Sequence, residues 1–154
     1  DSTSPFRQAF MDDRDNYYTL DSTFVALRVP QHDGNPALKR RIQAGEVDQQ
    51  EAVAAERLCL KTLRAVDAGT ASVDRAVAAL RSYEKIYDTK GRDRSTAYRR
   101  TLEAAPWKSC RCGICQDAGI EVMIFRGAER NKRRGFHNLA VFKRRLNRSI
   151  TTRR

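Results

Sequence analysis

Three of the chain's four cysteines and one of its two histidines fall between residues 110 and 137, as Cys110-Arg-Cys112-Gly-Ile-Cys115 followed by His137. Thiolate and imidazole are the donors that Zn²⁺ prefers in a closed tetrahedral shell. The C-x-C and C-x₂-C intervals let one knuckle of backbone aim three sulfurs at one point. The competing possibility is a set of buried or disulfide-bonded cysteines beside an unrelated histidine. Disulfides between such near neighbours would be strained, and a secreted disulfide framework carries more cysteines in pairs. The spacing therefore predicts a structural zinc held by Cys110, Cys112, Cys115 and His137. Cys59 stands apart at an apolar helical position and reads as a small buried hydrophobe.

The formal net charge is +11, and it is unevenly placed. Residues 126–154 carry 11 Lys or Arg and a single acid, Glu129, whereas the other 125 residues hold 19 basic and 18 acidic groups. A field of that kind suits a phosphate backbone. Arg126, Arg130, Lys132, Arg133 and Arg134 are the candidate nucleic-acid contacts, because Gly127 and Gly135 interrupt their run and admit close backbone approach. A solvated basic helix that only keeps the chain soluble is the plainer alternative.

No window approaches the roughly 18 apolar residues that cross a bilayer, and no charged-then-apolar leader is visible. The expected compartment is the cytoplasm, with no membrane partner. No nucleotide-triphosphate loop or dinucleotide fingerprint is found either. A chain of 154 residues suits one domain with a modest core or a piece of a larger protein. Opening at Asp1 rather than at a methionine favours the second.

Along the chain, residues 1–30 read as irregular or short extended structure, with turn chemistry in Asp1-Ser-Thr-Ser-Pro5 and strand formers from Thr23 to Val29. His32, in the loop through Gly34 and Pro36, reads as a surface residue. Residues 38–105 turn helical. Asp48 with Glu51 opens one helix and Gly69 stops it; Ser72 opens a second along Val73, Val77, Leu80 and Tyr83 or Tyr87; Ser95 or Thr96 opens a third that ends before Pro106. Residues 106–154 hold the cysteine knuckle, then an expected strand from Gly119 to Phe125, a basic hairpin from Arg126 to Gly135, and a last helix from about Phe136 to Ile150. That helix is expected to pack Leu139, Phe142, Leu146 and Ile150 inward.

The knuckle with its later histidine, the run His137-Asn138-Leu139 continuing to Arg144-Arg145-Leu146, and the opening Asp1-Ser-Thr-Ser-Pro5-Phe-Arg7-Gln-Ala9 together resemble the tRNA-guanine transglycosylases. That family exchanges guanine for a 7-deazaguanine. Ile124-Phe-Arg-Gly127, Arg130-Asn131 and Arg133-Arg-Gly-Phe-His-Asn138 are most similar to its branch that modifies DNA. The resemblance implies an α/β fold, the C-terminal part of a TIM-type (β/α)₈ barrel with a zinc-binding subdomain. Residues 1–37 would then be the end of the barrel, 38–105 a helical insertion, and 106–154 the zinc subdomain.

By the same resemblance Asp1 takes the place of the nucleophilic aspartate that attacks the sugar C1′ as guanine leaves. A carboxylate suits that role, being ionised at neutral pH and able to form and release a glycosyl ester. From local sequence alone Asp1 could equally cap a turn through Ser2 and Thr3. The implied partners are DNA or tRNA, a 7-deazaguanine base and the N-terminal part of the barrel, which would carry the second essential aspartate. The isolated segment is expected to be inactive, and a homo-oligomer is left open. Two alternatives stand beside this reading: a transglycosylase acting on tRNA, and a zinc-stapled nucleic-acid-binding module without catalysis. A zinc-finger nuclease reading of Phe136-His137-Asn138 is poor, because it needs His137 as a general base while the metal needs it as a ligand.

Overall fold

A computed structural model describes residues 4–11 and 15–152, with side chains through Ile150. Its helices are α1 (Ser4–Gln8), α2 (Pro36–Gln43), α3 (Gln49–Asp67), α4 (Val73–Tyr87), α5 (Ser95–Ala104), α6 (Pro106–Ser109), α7 (Gly113–Ala118) and α8 (Gly127–Thr152). Short strands include β1 (Tyr17–Tyr18) and β2 (Thr23–Phe24). The chain divides into two units: residues 1–26 with 104–154, and residues 27–103.

The unit of residues 27–103 is built from helices whose ends are written locally. Asn35 caps α2 by accepting the Leu38 N–H at 3.1 Å, with Pro36 following where no N–H is needed. Asp48 accepts from Gln50 at 3.1 Å to start α3, and Ser72 accepts from Arg75 at 3.2 Å to start α4. Gly69, at φ +80°, ends α3 by donating to the Val66 carbonyl at 3.0 Å. The starts at Asp48, Ser72 and Ser95 agree with the sequence reading.

Helix α3 packs on α4, burying Ala52, Cys59 and Leu63 from one and Val77, Leu80, Tyr83 and Tyr87 from the other. The Cys59 thiol donates to the Ala79 carbonyl at 3.2 Å, and burial pushes its pKa up to about 12, as a structural thiol requires. Glu84 is buried between Arg81 and Arg94, each at 3.1 Å. His32 is partly exposed and lies outside the metal-ligand cluster. Its backbone N–H and its Nδ1 lie 2.7 and 3.0 Å from Oε1 of the buried Glu56, because that carboxylate would otherwise lose its water without replacement.

In the other unit, β1 and β2 pair antiparallel, Tyr17 opposite Phe24 and Tyr18 opposite Thr23. Here the local reading of 119–150 changes. The expected strand is a 3₁₀ turn, Gly119–Met123, with only Ile124–Phe125 extended. Ile120, Val122, Met123 and Ile124 are all buried, so burial rather than β-propensity sets the backbone. The expected basic hairpin does not exist either: after Gly127, at φ +68°, residues 127–152 form one helix. Ala, Glu, Lys and Arg there are strong helix formers. Gly135 is not a break but a packing contact, since a Cβ on it would stand 2.6 Å from Cδ2 of Phe6.

The rotation of α8 also differs from expectation. Its buried face carries Arg134, His137, Asn138 and Val141, at the three- and four-residue spacing of one helical side. Leu146 and Ile150, expected to face inward, are 49% and 54% exposed. The metal ligand and its polar neighbours, not the leucine stripe, fix which side of α8 turns inward.

Candidate functional site

Cys110 follows α6, Cys112 caps α7, Cys115 lies within α7, and His137 projects from α8. Their ligand atoms all lie within 4.8 Å of one another and could hold a metal ion. His137 Nδ1 stands 3.5 Å from the sulfur of Cys110 and 3.3 Å from those of Cys112 and Cys115. Zinc bonds of about 2.3 Å to sulfur and about 2.0 Å to nitrogen place N···S edges near ~3.5 Å in a tetrahedron, so the cage has the right size.

The ring's other nitrogen decides its tautomer. His137 Nε2 lies 2.8 Å from the Tyr18 carbonyl, which can only accept, so Nε2 carries the proton and Nδ1 turns its lone pair to the sulfurs. Tyr17 stacks on the imidazole, with centroids 4.0 Å apart and an interplanar angle of 11°. Its hydroxyl is 3.2 Å from Cys115 Sγ. Burial first, and the neighbouring Cys115 second, raise the Tyr17 pKa, so it stays a neutral donor toward a thiolate. The Cys115 N–H adds a contact to Cys112 Sγ at 3.4 Å.

The thiols themselves call for a cation. A hydrogen bond from Cys115 holds Cys110 down to about 3, while burial pushes Cys112 up, and the contact with Cys110 pushes Cys115 up. A divalent ion is what lets all three ionise together. The ligands were readable from their spacing; Tyr17 and the Tyr18 carbonyl were not, since they lie on β1, 98 residues from Cys115 and 119 from His137, and no local pattern marks them.

Two comparisons with known proteins bear on what this cage belongs to. No protein-family model matches the chain. A curated relative named DNA-guanine transglycosylase, from Salmonella montevideo, is 42% identical over 156 residues, an alignment that covers 99% of this chain. The similarity is thus to a guanine transglycosylase of the DNA-modifying type, and the chain spans 38% of that relative's length.

The basic residues of α8 do not all face the same way. Lys132 and Arg133 are exposed, and with Lys143 and Arg144 they form one solvent-facing stripe along the helix. Arg130 pairs with Glu121 at 3.1 Å, and Arg126 is half-buried. Arg134 faces the other way: it is fully buried, and burial brings its guanidinium down to about 9. It therefore cannot serve as a surface phosphate contact in the way its place in the basic run suggests.

Beside the metal cage lies a cleft of about 430 Å³, lined by Tyr18, Leu20, Phe24, Cys110, Arg111 and Arg144 among others. Asp1 lies outside the described residues. Among the described residues no helix is long and apolar enough to cross a membrane.

Proposed function

We propose that this chain is the C-terminal part of a base-exchange enzyme that replaces guanine with a 7-deazaguanine in DNA, with Asp1 as nucleophile. The observation that carries the reading is the 42% identity to a DNA-guanine transglycosylase along 99% of the chain, including its cysteine knuckle and helix α8. In the reaction a carboxylate oxygen of Asp1 bonds to the sugar C1′ while the C1′–N9 bond of guanine breaks. The guanine nitrogen takes up a proton as it leaves. The incoming base then attacks C1′, gives up its own ring proton, and returns Asp1 as a carboxylate. Two displacements at one carbon retain its configuration, and no energy-carrying cofactor is consumed.

Zinc in the Cys110, Cys112, Cys115, His137 cage is structural in this reading, since four protein donors leave no open position for a catalytic water. Its work is to fix α7, α8 and β1 to one another. Lys132, Arg133, Lys143 and Arg144, with Arg111 at the cleft, supply the sequence-independent phosphate contacts around a base taken out of the stack. The remaining barrel, with the acid/base aspartate, belongs to the rest of the protein, and residues 38–105 are read as an insertion into it.

The test uses the complete protein and follows incorporation of labelled guanine and 7-deazaguanine into DNA and tRNA, together with a denaturation-resistant protein–nucleic-acid adduct. Incorporation into DNA and loss of both signals in Asp1→Asn are expected, with zinc content and DNA affinity unchanged. Incorporation into tRNA alone moves the substrate. Normal incorporation by Asp1→Asn removes the nucleophile, and no exchange on either polymer leaves a zinc-stapled binding module.

A further inference from the structure

Arg134, Gly135 and Asn138 surround the metal ligand His137 on α8, and all three engage the segment that follows Asp1 in the sequence. Arg134 donates from Nη2 to the Ala9 carbonyl at 2.7 Å and to Asn131 Oδ1, and from Nη1 to the Val122 and Ile124 carbonyls at 3.1 and 3.3 Å. Asn138 donates from Nδ2 to the carbonyls of Pro5 and Asn16, at 3.1 and 2.9 Å, and accepts from the Tyr18 N–H at 2.9 Å. The Phe6 ring lies directly on Gly135, where any Cβ would collide with it, and meets Phe136 edge-on at 5.3 Å. Pro5, Phe6 and Ala9 are thus each held by a residue adjacent to, or one turn from, a zinc ligand.

The chemistry of Arg134 is the unusual part. Among the described residues its hydrogen bonds go to carbonyl and amide oxygens and its guanidinium lies 5.1 Å over the Phe125 ring, with no carboxylate paired to the buried charge. Among the described residues its Nε has no hydrogen-bond partner. An apolar side chain of similar volume would fill the same space without that desolvation cost. What it could not do is bind four oxygens from three separate stretches of chain with one rigid, planar fork. Packing alone does not ask for an arginine here; fixing the Ser4–Met11 segment does.

We propose that Arg134 and Asn138 are positioning residues that transmit the hold of the metal cage to the Ser4–Met11 segment, and that base exchange by Asp1, three residues before that segment in the sequence, depends on this hold. This rests on the reading of Asp1 as nucleophile. The metal fixes His137, His137 fixes the rotation of α8, and Arg134 and Asn138 carry that rotation to the carbonyls of Ala9 and Pro5. An error of about an ångström in such a group costs on the order of 100-fold in rate while leaving binding untouched.

The experiment uses the complete, zinc-loaded protein. Arg134→Met and Asn138→Asp, measured per zinc-loaded molecule, are expected to lower kcat for base exchange at least about tenfold, with KM for DNA and zinc content unchanged. Arg134→Lys, which keeps a cation and donors, is expected to recover most of the loss. Hydrogen exchange on the wild type provides a readout that needs no variant to fold: stripping zinc is expected to speed exchange of the Ala9, Phe10 and Met11 amides at least about tenfold. Unaltered kcat in a folded Arg134→Met, or unchanged exchange at residues 9–11 after zinc removal, overturns the proposal. Failure of the nucleophile reading shows separately, as normal incorporation by Asp1→Asn, and leaves the hydrogen-exchange result to judge Arg134 and Asn138.

Discussion

In the unit of residues 27–103, Leu63, Val77, Leu80 and Tyr83 fill the space between α3 and α4, and the helix ends are closed by side chains two or three residues away. In the other unit the joins are made by polar side chains over long sequence distances. His137 reaches Tyr18, Asn138 reaches Pro5 and Asn16, Arg134 reaches Ala9, and Arg145 donates to the carbonyls of Thr19 and Ser22. The first unit is a helical core of ordinary kind. The second gathers several short elements, among them α1, β1, α6 and α7, that bury little on their own, and it needs a metal cage and backbone-directed hydrogen bonds to hold them. Binding energy in the two is therefore stored in different places and should be lost under different conditions.

The largest expected difference follows metal removal. A structural zinc of this type contributes on the order of 10 kcal/mol of apparent folding free energy in small peptides. Chelation, or Cys112→Ser, should therefore unfold the cysteine unit while α3 and α4 keep their amide protection. Hydrogen exchange resolved by segment separates the outcomes, and equal loss in both units breaks the distinction.

Next comes a core truncation in the helical unit. Leu63 is fully buried, so Leu63→Ala should cost about 2–5 kcal/mol there by denaturant unfolding, with zinc affinity unaltered. A fall in zinc affinity would mean that the two units share their stability.

Acid sharpens the same contrast. Burial alone would raise the carboxyl of Asp88, but hydrogen bonds from Arg92 outweigh it and hold the pKa at about 2. Because the folded value lies below the ordinary one, this stabilisation is complete above about pH 4 and is lost as pH falls from there through about 2. It is worth on the order of 2 kcal/mol at most. The metal unit should fail at higher pH, as protons compete with the ion for its thiolates and the ion is released. Segment-resolved unfolding between pH 6 and pH 2 should show that order.

The smallest effect is a cap. Ser72→Ala removes the acceptor of the Arg75 N–H and should cost about 1 kcal/mol in α4 alone, measurable as a shift of the denaturant midpoint.

The contrast also explains what could be read from the sequence. Asp48, Ser72 and Gly69 marked helix boundaries correctly because a cap and its target sit within a few residues. The four residues that could hold a metal ion were legible for the same reason: three of them fall within six residues, and the fourth is a histidine in a chain with only two. The strand expected at 119–125 and the hairpin at 126–135 went wrong where distant contacts decide the backbone. Gly135 signals a turn when read locally and a seat for Phe6 when read in three dimensions. Arg134 has the composition of a phosphate contact and the geometry of a buried clamp. The rotation of α8 is set by a metal ligand and two carbonyls more than a hundred residues away, which hydrophobic periodicity cannot register.

Metal analysis of the purified chain, beside that of Cys112→Ser, tests most directly the claim that a Cys₃His zinc cage organises this unit. One zinc per wild-type chain, retained through dialysis and lost in the variant together with protection along α8, is the predicted result. A folded wild-type chain that carries no zinc, or a Cys112→Ser chain that keeps its full complement, would contradict it.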